Sequence, residues 1–238
     1  MVEQSATPHA PPPPGAAAPP DRGLVERADL SETTRLETFA DGVLAIAITL
    51  LVLEIQVPAH DVVVRAGGLG RALAWLWPSY VGYAISFATI GIMWVNHHAM
   101  FHYIRRADRV FLLLNVFFLF CVAFLPFPTA VLADYLPDPE ERRAAAVFYG
   151  AWLVVVALAF NAVWRYGVRG GRLLGAGVDR RGVDTISRRY RFGPVSYAAA
   201  TALALVSVPL SLAVHAALAV LFALPELSSR DGASAAAP

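Results

Sequence analysis

Residues 39–55 read FADGVLAIAITLLVLEI, an apolar run with an acid near each end, Asp41 and Glu54. A helix that only anchors a protein in lipid does not need these acids, because a charged side chain in the hydrocarbon layer is costly unless it is paired. A hydroxyl residue, Thr49, interrupts the most apolar part of the run. The stretch therefore predicts a membrane helix with a role beyond anchoring.

The rest of the chain is similarly apolar. Of its 238 residues 57% are hydrophobic and 16% are charged, whereas about a quarter of a typical soluble domain is charged. The composition predicts an all-α, polytopic membrane protein with six transmembrane helices. The predicted spans are about 34–57, 72–97, 109–133, 144–166, 192–207 and 209–225. The last two are separated because Pro209 breaks a helix that is otherwise too long for the bilayer.

The transmembrane domain is predicted to occupy residues 31–227. The segment before it, residues 1–30, contains HAPPPPGAAAPP, and the segment after it, residues 228–238, reads SSRDGASAAAP. Both compositions are typical of disordered tails, since they offer too few apolar side chains for a packed core.

The basic residues are distributed unequally between the two sides of the membrane. All 19 are arginine, and 15 of them fall on the side that holds both termini in the six-span arrangement. The positive-inside rule then predicts a protein of the cell membrane with both termini in the cytoplasm. The 165–191 segment carries eight of these arginines. It is predicted to be a loop at the lipid headgroups, and not a nucleic-acid site, because glycines, Asp179 and Asp184 interrupt the basic run.

One face of the first helix is the predicted functional site. With Ile46 as reference, helical spacing puts Thr49, Leu50 and Leu53 on the same face. The pattern alone leaves Thr49 open. Its hydroxyl either bonds to the carbonyl one turn earlier within a packed helix, or faces a pore.

Asp41 lies off this face and also has two interpretations. It either ends the span near the headgroups, where charge is tolerated, or it pairs with a neighbour inside the protein. The residues at similar depth that are able to pair with it are Arg35, His97, His98 and His102.

Two long motifs resemble those of a known family. RLETFADGVLAIAITLLVLEI (35–55) resembles the first-helix signature of the transmembrane-protein-175 family of potassium channels, which reads Arg, three residues, Phe-Ser-Asp and then an apolar helix. WVNHHAMFHYIRRADRVFLLLNVFFLFCVAFLPFPTAVL (94–132) is similar to its second signature, with Trp-x-x-His-His, Asp, Leu-Asn and Phe-Leu-Pro-Phe elements. The chain departs from the first motif at Ala40, where the family has serine. An interhelical hydrogen bond through that hydroxyl is therefore missing.

The resemblance implies a potassium-permeable cation channel, assembled as a homotetramer with the first helix of each subunit lining the pore. It implies apolar constrictions at Ile46, Leu50 and Leu53 and a selectivity ring of hydroxyls at Thr49. The residues to which it gives structural or gating roles are Arg35, Phe39, Asp41, His97 and His98. The implied partners are potassium ions, membrane lipids and further copies of the chain, with no cofactor and no metal.

Other functions have weaker signals. His98 and His102 are four residues apart, a spacing that can bind zinc, but no HExxH motif accompanies them. No phosphate loop, nucleophile elbow or paired-carboxylate pattern indicates an enzyme, and no TVGYG-like segment predicts a filter of backbone carbonyls. Two alternatives remain, a proton-coupled transporter that uses Asp41 and the histidines as a relay and a non-conducting membrane scaffold. The lack of an internal sequence repeat disfavours the transporter.

Overall fold

The computed structural model describes residues 22–223, with side chains from Thr33 onwards. The regular elements of this range are helices, which confirms the all-α class. In chain order the α-helices are α1 (Arg22–Leu50), α2 (His60–Ala66), α3 (Leu69–Trp75), α4 (Trp77–Tyr103), α5 (Arg109–Ala123), α6 (Pro126–Tyr135), α7 (Arg142–Val168), α8 (Arg180–Leu203) and α9 (Val208–Ala223). Of the first predicted tail, residues 1–30, positions 1–21 lie outside the described residues, and α1 begins within the remainder. The second predicted tail, residues 228–238, lies entirely outside the described residues.

Within residues 22–223, four segments are long and apolar enough to cross a membrane. They are Thr33–Glu54, Trp77–Tyr103, Arg109–Tyr135 and Arg142–Gly171. They confirm the first four predicted spans, although the second lies later in the chain than the predicted 72–97. Pro78 explains this shift, because a proline in the first turn of a helix fixes its start.

The third span consists of two helices. Pro126 has no N–H group to continue the hydrogen bonds of α5, so α5 ends at Ala123 and α6 begins at Pro126. The hydroxyl of Ser86 on α4 lies 2.7 Å from that of Thr129 on α6 and 2.9 Å from that of Tyr149 on α7. These buried hydrogen bonds tie the kinked span to its two neighbours.

The prediction of one loop over residues 165–191 is wrong. The helix α7 continues to Val168 and α8 already begins at Arg180. The carboxylate of Asp179 accepts hydrogen bonds of 2.9 and 3.1 Å from the backbone N–H groups of Arg181 and Gly182 in the first turn of α8. This N-cap, followed by arginines with good helix propensity, starts the helix before the chain becomes apolar.

The helices α7 and α8 pack antiparallel along most of their length. Asn161 Nδ2 donates to the carbonyl of Tyr190 at 2.6 Å. One turn further along, Trp164 Nε1 donates to the hydroxyl of Ser187 at 2.9 Å. Near the other end a Cβ built at Gly150 would lie only 2.5 Å from a hydroxyl on α8, so the two backbones approach closely there.

The helices α8 and α9 form a hairpin. The break between them, at residues 204–207, confirms the predicted interruption before Pro209. The turn lies beside the residues that precede α7, Pro139 and Glu140, around a shared pocket. At the opposite end, Arg189 donates to the last carbonyls of α9 at 3.1 and 3.0 Å. The hairpin therefore runs from one end of the bundle to the other and back.

Asp108 stabilises the end of the bundle where α4 meets α5. Its carboxylate accepts hydrogen bonds of 2.8 Å from the N–H of Phe111 and from the hydroxyl of Tyr166, and it forms a 2.9 Å ion pair with Arg172. Desolvation alone would raise the pKa of Asp108, but these contacts hold that pKa below its usual value. The residue links α5, α7 and the segment that leads to α8.

Asp108→Ala is expected to lower the free energy of unfolding by about 1–2 kcal/mol, because the cap of α5 is lost. Asp108→Asn is the matched control, since asparagine still caps the helix. The folded-state pKa of Asp108 is depressed, so its contribution is present at neutral pH and decreases as the pH falls through that pKa. Thermal unfolding in detergent tests this; equal stability of Asp108→Ala and wild type between neutral and acidic pH would contradict it.

Candidate ion pathway

The helix α1 has a buried face and an exposed face. The buried face packs against α4 and α5 and consists of small and aliphatic side chains, each at most 7% exposed: Leu36, Ala40, Leu44, Ala47 and Leu51. Their spacing of three or four residues is that of one helical stripe. This packing fixes the rotation of α1, so that the opposite side of the helix points away from its own subunit.

The exposed face holds the residues that the sequence predicts as constrictions. In the single subunit, Ile46 is 59% exposed, Leu50 42% and Leu53 67%. Residues Leu51–Glu54 continue α1 as a 3₁₀ turn. Because side chains three apart eclipse each other in a 3₁₀ helix, Leu53 stays above Leu50. The structure thus brings the predicted constriction residues onto one unpartnered surface.

Thr49 lies on this exposed face between the constriction residues. Its hydroxyl donates a hydrogen bond of 2.9 Å to the carbonyl of Ile46. The bond uses the only proton of the hydroxyl, so the oxygen lone pairs remain available as acceptors. The two interpretations of Thr49 are therefore compatible: the back-bond holds the hydroxyl in place, and the residue is exposed in the subunit.

The partner of Asp41 is Trp94, which is not among the partners predicted from the sequence. The indole Nε1 of Trp94 donates to Asp41 Oδ1 at 2.8 Å. Among the described residues no ion pair joins Asp41 to Arg35 or to a histidine, so the expected pairing with them is wrong. Instead, His98 Nδ1 lies 2.7 Å from a carboxylate oxygen of Glu37. Trp94 belongs to the second motif, but its partner depends on how α1 packs on α4.

His97 is fully buried between α4 and α5. Asn115 Nδ2 donates to the carbonyl of Phe111 at 2.8 Å, which leaves Asn115 Oδ1 as the acceptor for His97 Nε2 at 3.0 Å. His97 Nε2 is therefore the protonated nitrogen. The other ring nitrogen, Nδ1, is a buried acceptor without a hydrogen-bond partner in the described part of the chain.

Ala40, the position that departs from the family motif, lies on the same contact between α1 and α4. Ala40 is 0% exposed. On α1 it is flanked by Glu37 and Asp41, whose partners on α4 flank His97. The missing hydroxyl and the unpartnered imidazole nitrogen thus occur in one small region of the interface.

Ala40→Ser is expected to raise the free energy of unfolding by about 0.5–1.5 kcal/mol, because its hydroxyl can donate to His97 Nδ1. Ala47→Ser is the matched control: Ala47 lies on the same buried face at 1% exposure but has no unpartnered acceptor nearby among the described residues. Thermal unfolding of both variants in detergent makes the comparison. An Ala40→Ser variant that unfolds at or below the temperature of Ala47→Ser would contradict the expectation, as would an equal gain in a His97→Phe background.

Two acids lie together at the far end of α1. Glu54 closes the 3₁₀ turn, and Asp134 on α6 is its acidic neighbour. The sequence left the role of Glu54 open.

A zinc site was considered at His98 and His102. Within the described range, no cluster of three or more metal-ligating side chains occurs.

Comparison with known proteins identifies the family of this chain. The profile of the family described as "Endosomal/lysosomal potassium channel TMEM175" matches residues 35–126. A potassium channel of Chamaesiphon minutus is 49% identical over 201 residues, which cover 84% of this chain and 98% of that channel. The chain belongs to the TMEM175 family.

Further relatives extend the TMEM175 likeness beyond the two motifs. A potassium channel of Streptomyces collinus is 45% identical over 81% of this chain and 92% of that protein. The crystal structure of a lysosomal potassium-selective channel TMEM175 homolog from Chamaesiphon minutus matches with a TM-score of 0.73 and 48% identity, covering 81% of this chain and 97% of that one. The endosomal/lysosomal proton channel TMEM175 of Homo sapiens is 39% identical over 45% of this chain and 22% of that protein.

Proposed function

We propose that this chain is a potassium-permeable channel that assembles as a homotetramer, with α1 of each subunit lining a central pore. Two bacterial relatives that match over 98% and 92% of their own length are named potassium channels, and they are 49% and 45% identical to this chain. A solved structure titled as a potassium-selective channel shares the fold at 48% identity. These likenesses support passive ion conduction and not catalysis.

The observation that carries the proposal is the composition of the exposed face of α1. Apolar side chains alone would suit lipid as well as a pore. This face, however, also presents Thr49, whose hydroxyl oxygen has free lone pairs, and it leads to the acid pair of Glu54 and Asp134. Hydroxyl oxygens and carboxylates interact favourably with cations in a pore, whereas such polar groups are costly against acyl chains.

Six membrane crossings per subunit are supported by the hairpin of α8 and α9. The helix α8 follows α7 in antiparallel register, and α7 is itself a full span. The α8–α9 turn lies beside the residues that precede α7, and Arg189 joins the other ends of the hairpin. The hairpin thus crosses twice, although α9 with 16 residues is shorter than the other spans.

The orientation follows from the arginines. The end of the bundle with Arg35, Arg105 and Arg165 is the cytoplasmic end, and both termini lie there, in a multi-pass protein of the cell membrane. Residues 31–227 then form one channel domain. The α1–α4 pairs of Asp41 with Trp94 and of His98 with Glu37 hold the cytoplasmic half of α1 against its subunit. Arg35 and Phe39 are exposed in the subunit, so a gating role for them would be exerted at the exposed face of α1.

Ion passage can be described from the side chains of α1. Rings of Ile46, Leu50 and Leu53 narrow the pore, and such apolar rings close a path by excluding water. Between them, the hydroxyl oxygens of Thr49 replace part of the hydration shell of a potassium ion. The acids Glu54 and Asp134 raise the cation concentration at the outer mouth.

Flux measurements on the purified protein in liposomes test the proposal. Potassium-loaded vesicles that contain the protein should lose potassium faster than potassium-loaded vesicles without it. The rate should not depend on a proton gradient. Because animal relatives are named proton channels, proton flux is recorded in the same vesicles. Potassium flux no greater than that of empty vesicles would leave the scaffold alternative. Uptake abolished by a proton ionophore would indicate the transporter.

A further inference from the structure

One face of α8 combines exposed arginines with exposed apolar side chains. Arg188 and Arg191 are exposed, and Phe192 and Val195 are 64% and 66% exposed. Counted from Arg188, the spacing is i, i+3, i+4 and i+7, so the four side chains lie on the same side of the helix. The arginines come first along the chain and the apolar pair follows.

This face lies where the chain changes from charged to apolar. Arg191 is the last charged residue of α8, and residues 192–223 contain no Asp, Glu, Lys or Arg. The neighbouring Arg189 donates to the last carbonyls of α9, so both helices of the hairpin reach the apolar layer at the same level. Arginines at such a boundary lie among the lipid headgroups, with the apolar side chains beyond them among acyl chains.

The guanidinium groups of Arg188 and Arg191 have no partner within the described part of the subunit. In the region that the structure describes, neither Arg188 nor Arg191 forms an ion pair or a hydrogen bond. Asp184 lies one turn before Arg188 on the same side of α8, but it makes no ion pair with Arg188 there. Two free guanidinium groups on adjacent turns present planar sets of N–H donors, which match the oxygens of a phosphodiester.

We infer that this face of α8 binds an anionic phospholipid, with its phosphodiester between Arg188 and Arg191 and an acyl chain along Phe192 and Val195. A lipid accounts for the exposed apolar pair, which a free phosphate ion does not contact. The inference rests on the membrane crossing by α8 and is independent of whether the protein conducts potassium.

Thermal unfolding in mixed micelles tests the site. The wild-type protein should be stabilised more by phosphatidylglycerol than by phosphatidylcholine with the same acyl chains. The double variant Arg188→Gln/Arg191→Gln should bind phosphatidylglycerol roughly thirtyfold more weakly and lose this difference. Arg188→Lys/Arg191→Lys, which keeps the charge, should retain most of it. Stability of each variant in phosphatidylcholine shows that it folds.

The control is Arg169→Gln/Arg180→Gln, which removes two exposed arginines from the same end of the bundle but from outside this face. It should keep the wild-type preference for phosphatidylglycerol. Inorganic phosphate added to phosphatidylcholine micelles should produce no shift; a shift equal to that of the lipid would assign the site to free phosphate and overturn the inference. The inference is also overturned if the control loses as much of the preference for phosphatidylglycerol as the double variant does. A change of oligomeric mass in the double variant would overturn it too, because this face would then be a subunit contact.

Discussion

Ile46→Asn is expected to increase the resting potassium flux of the channel about tenfold, which corresponds to a barrier lower by about 1.4 kcal/mol. Ile46 is 59% exposed and lies on the face of α1 that points away from its own subunit. In the proposed tetramer four such side chains would form an apolar ring, and a narrow apolar ring excludes water and therefore ions. Asparagine has the same number of side-chain heavy atoms, but its amide hydrogen-bonds to water and keeps the constriction hydrated.

Leu113→Asn is the control for this substitution. Leu113 on α5 is also 59% exposed and apolar, but it lies outside α1. The same chemical change there should leave the flux unchanged. Liposome flux assays at equal protein density compare the two variants with wild type. A flux through Ile46→Asn equal to wild type, or an equal increase in Leu113→Asn, would remove Ile46 from the pore wall.

The second large effect is expected from Thr49→Val, which should reduce the preference for potassium over sodium about fivefold, equivalent to about 1 kcal/mol between the two ions. Valine keeps the branched shape and removes the oxygen. The back-bond from Thr49 to the carbonyl of Ile46 holds that oxygen in place, so in the proposed pore the ring would offer acceptors that need little rearrangement when an ion arrives. Bi-ionic reversal potentials measure the change.

Two controls separate the hydroxyl ring from helix stability. Thr49→Ser keeps the hydroxyl and should keep the preference. Thr38→Ala removes a similarly back-bonded hydroxyl, 2.9 Å from the carbonyl of Thr34, elsewhere on α1. It should change neither selectivity nor flux. An unchanged reversal potential in Thr49→Val would show that selectivity arises from pore diameter or from another ring.

The features readable from the sequence are those that depend on local patterns. Span length and apolarity predict four of the spans, and Pro209 predicts the break between the last two helices. The stripe from Ile46 to Leu53 is predictable because helical periodicity fixes which residues share a face. The start of α8 was also readable, since Asp179 before a run of helix-forming arginines is an N-cap signal, but the charge of the segment pointed to a loop.

The contacts that depend on tertiary packing were not readable. The sequence indicates that Asp41 requires a partner, but Trp94 is selected only when the buried stripe of α1 docks on α4. In the same way, the pairing of Asn115 with His97 follows from the rotation of α5. The unpartnered nitrogen of His97 is visible only once both residues are in place.

The most direct measurement is the reversal potential of the purified protein in a planar bilayer, with potassium on one side, sodium on the other and equal pH. A potassium-selective pore lined by α1 predicts a current that reverses well away from zero, with the potassium side negative, and a shift towards zero in Thr49→Val. A reversal at zero in the wild type, a current that reverses at the proton equilibrium potential when a pH gradient is imposed, or no current at all would contradict it.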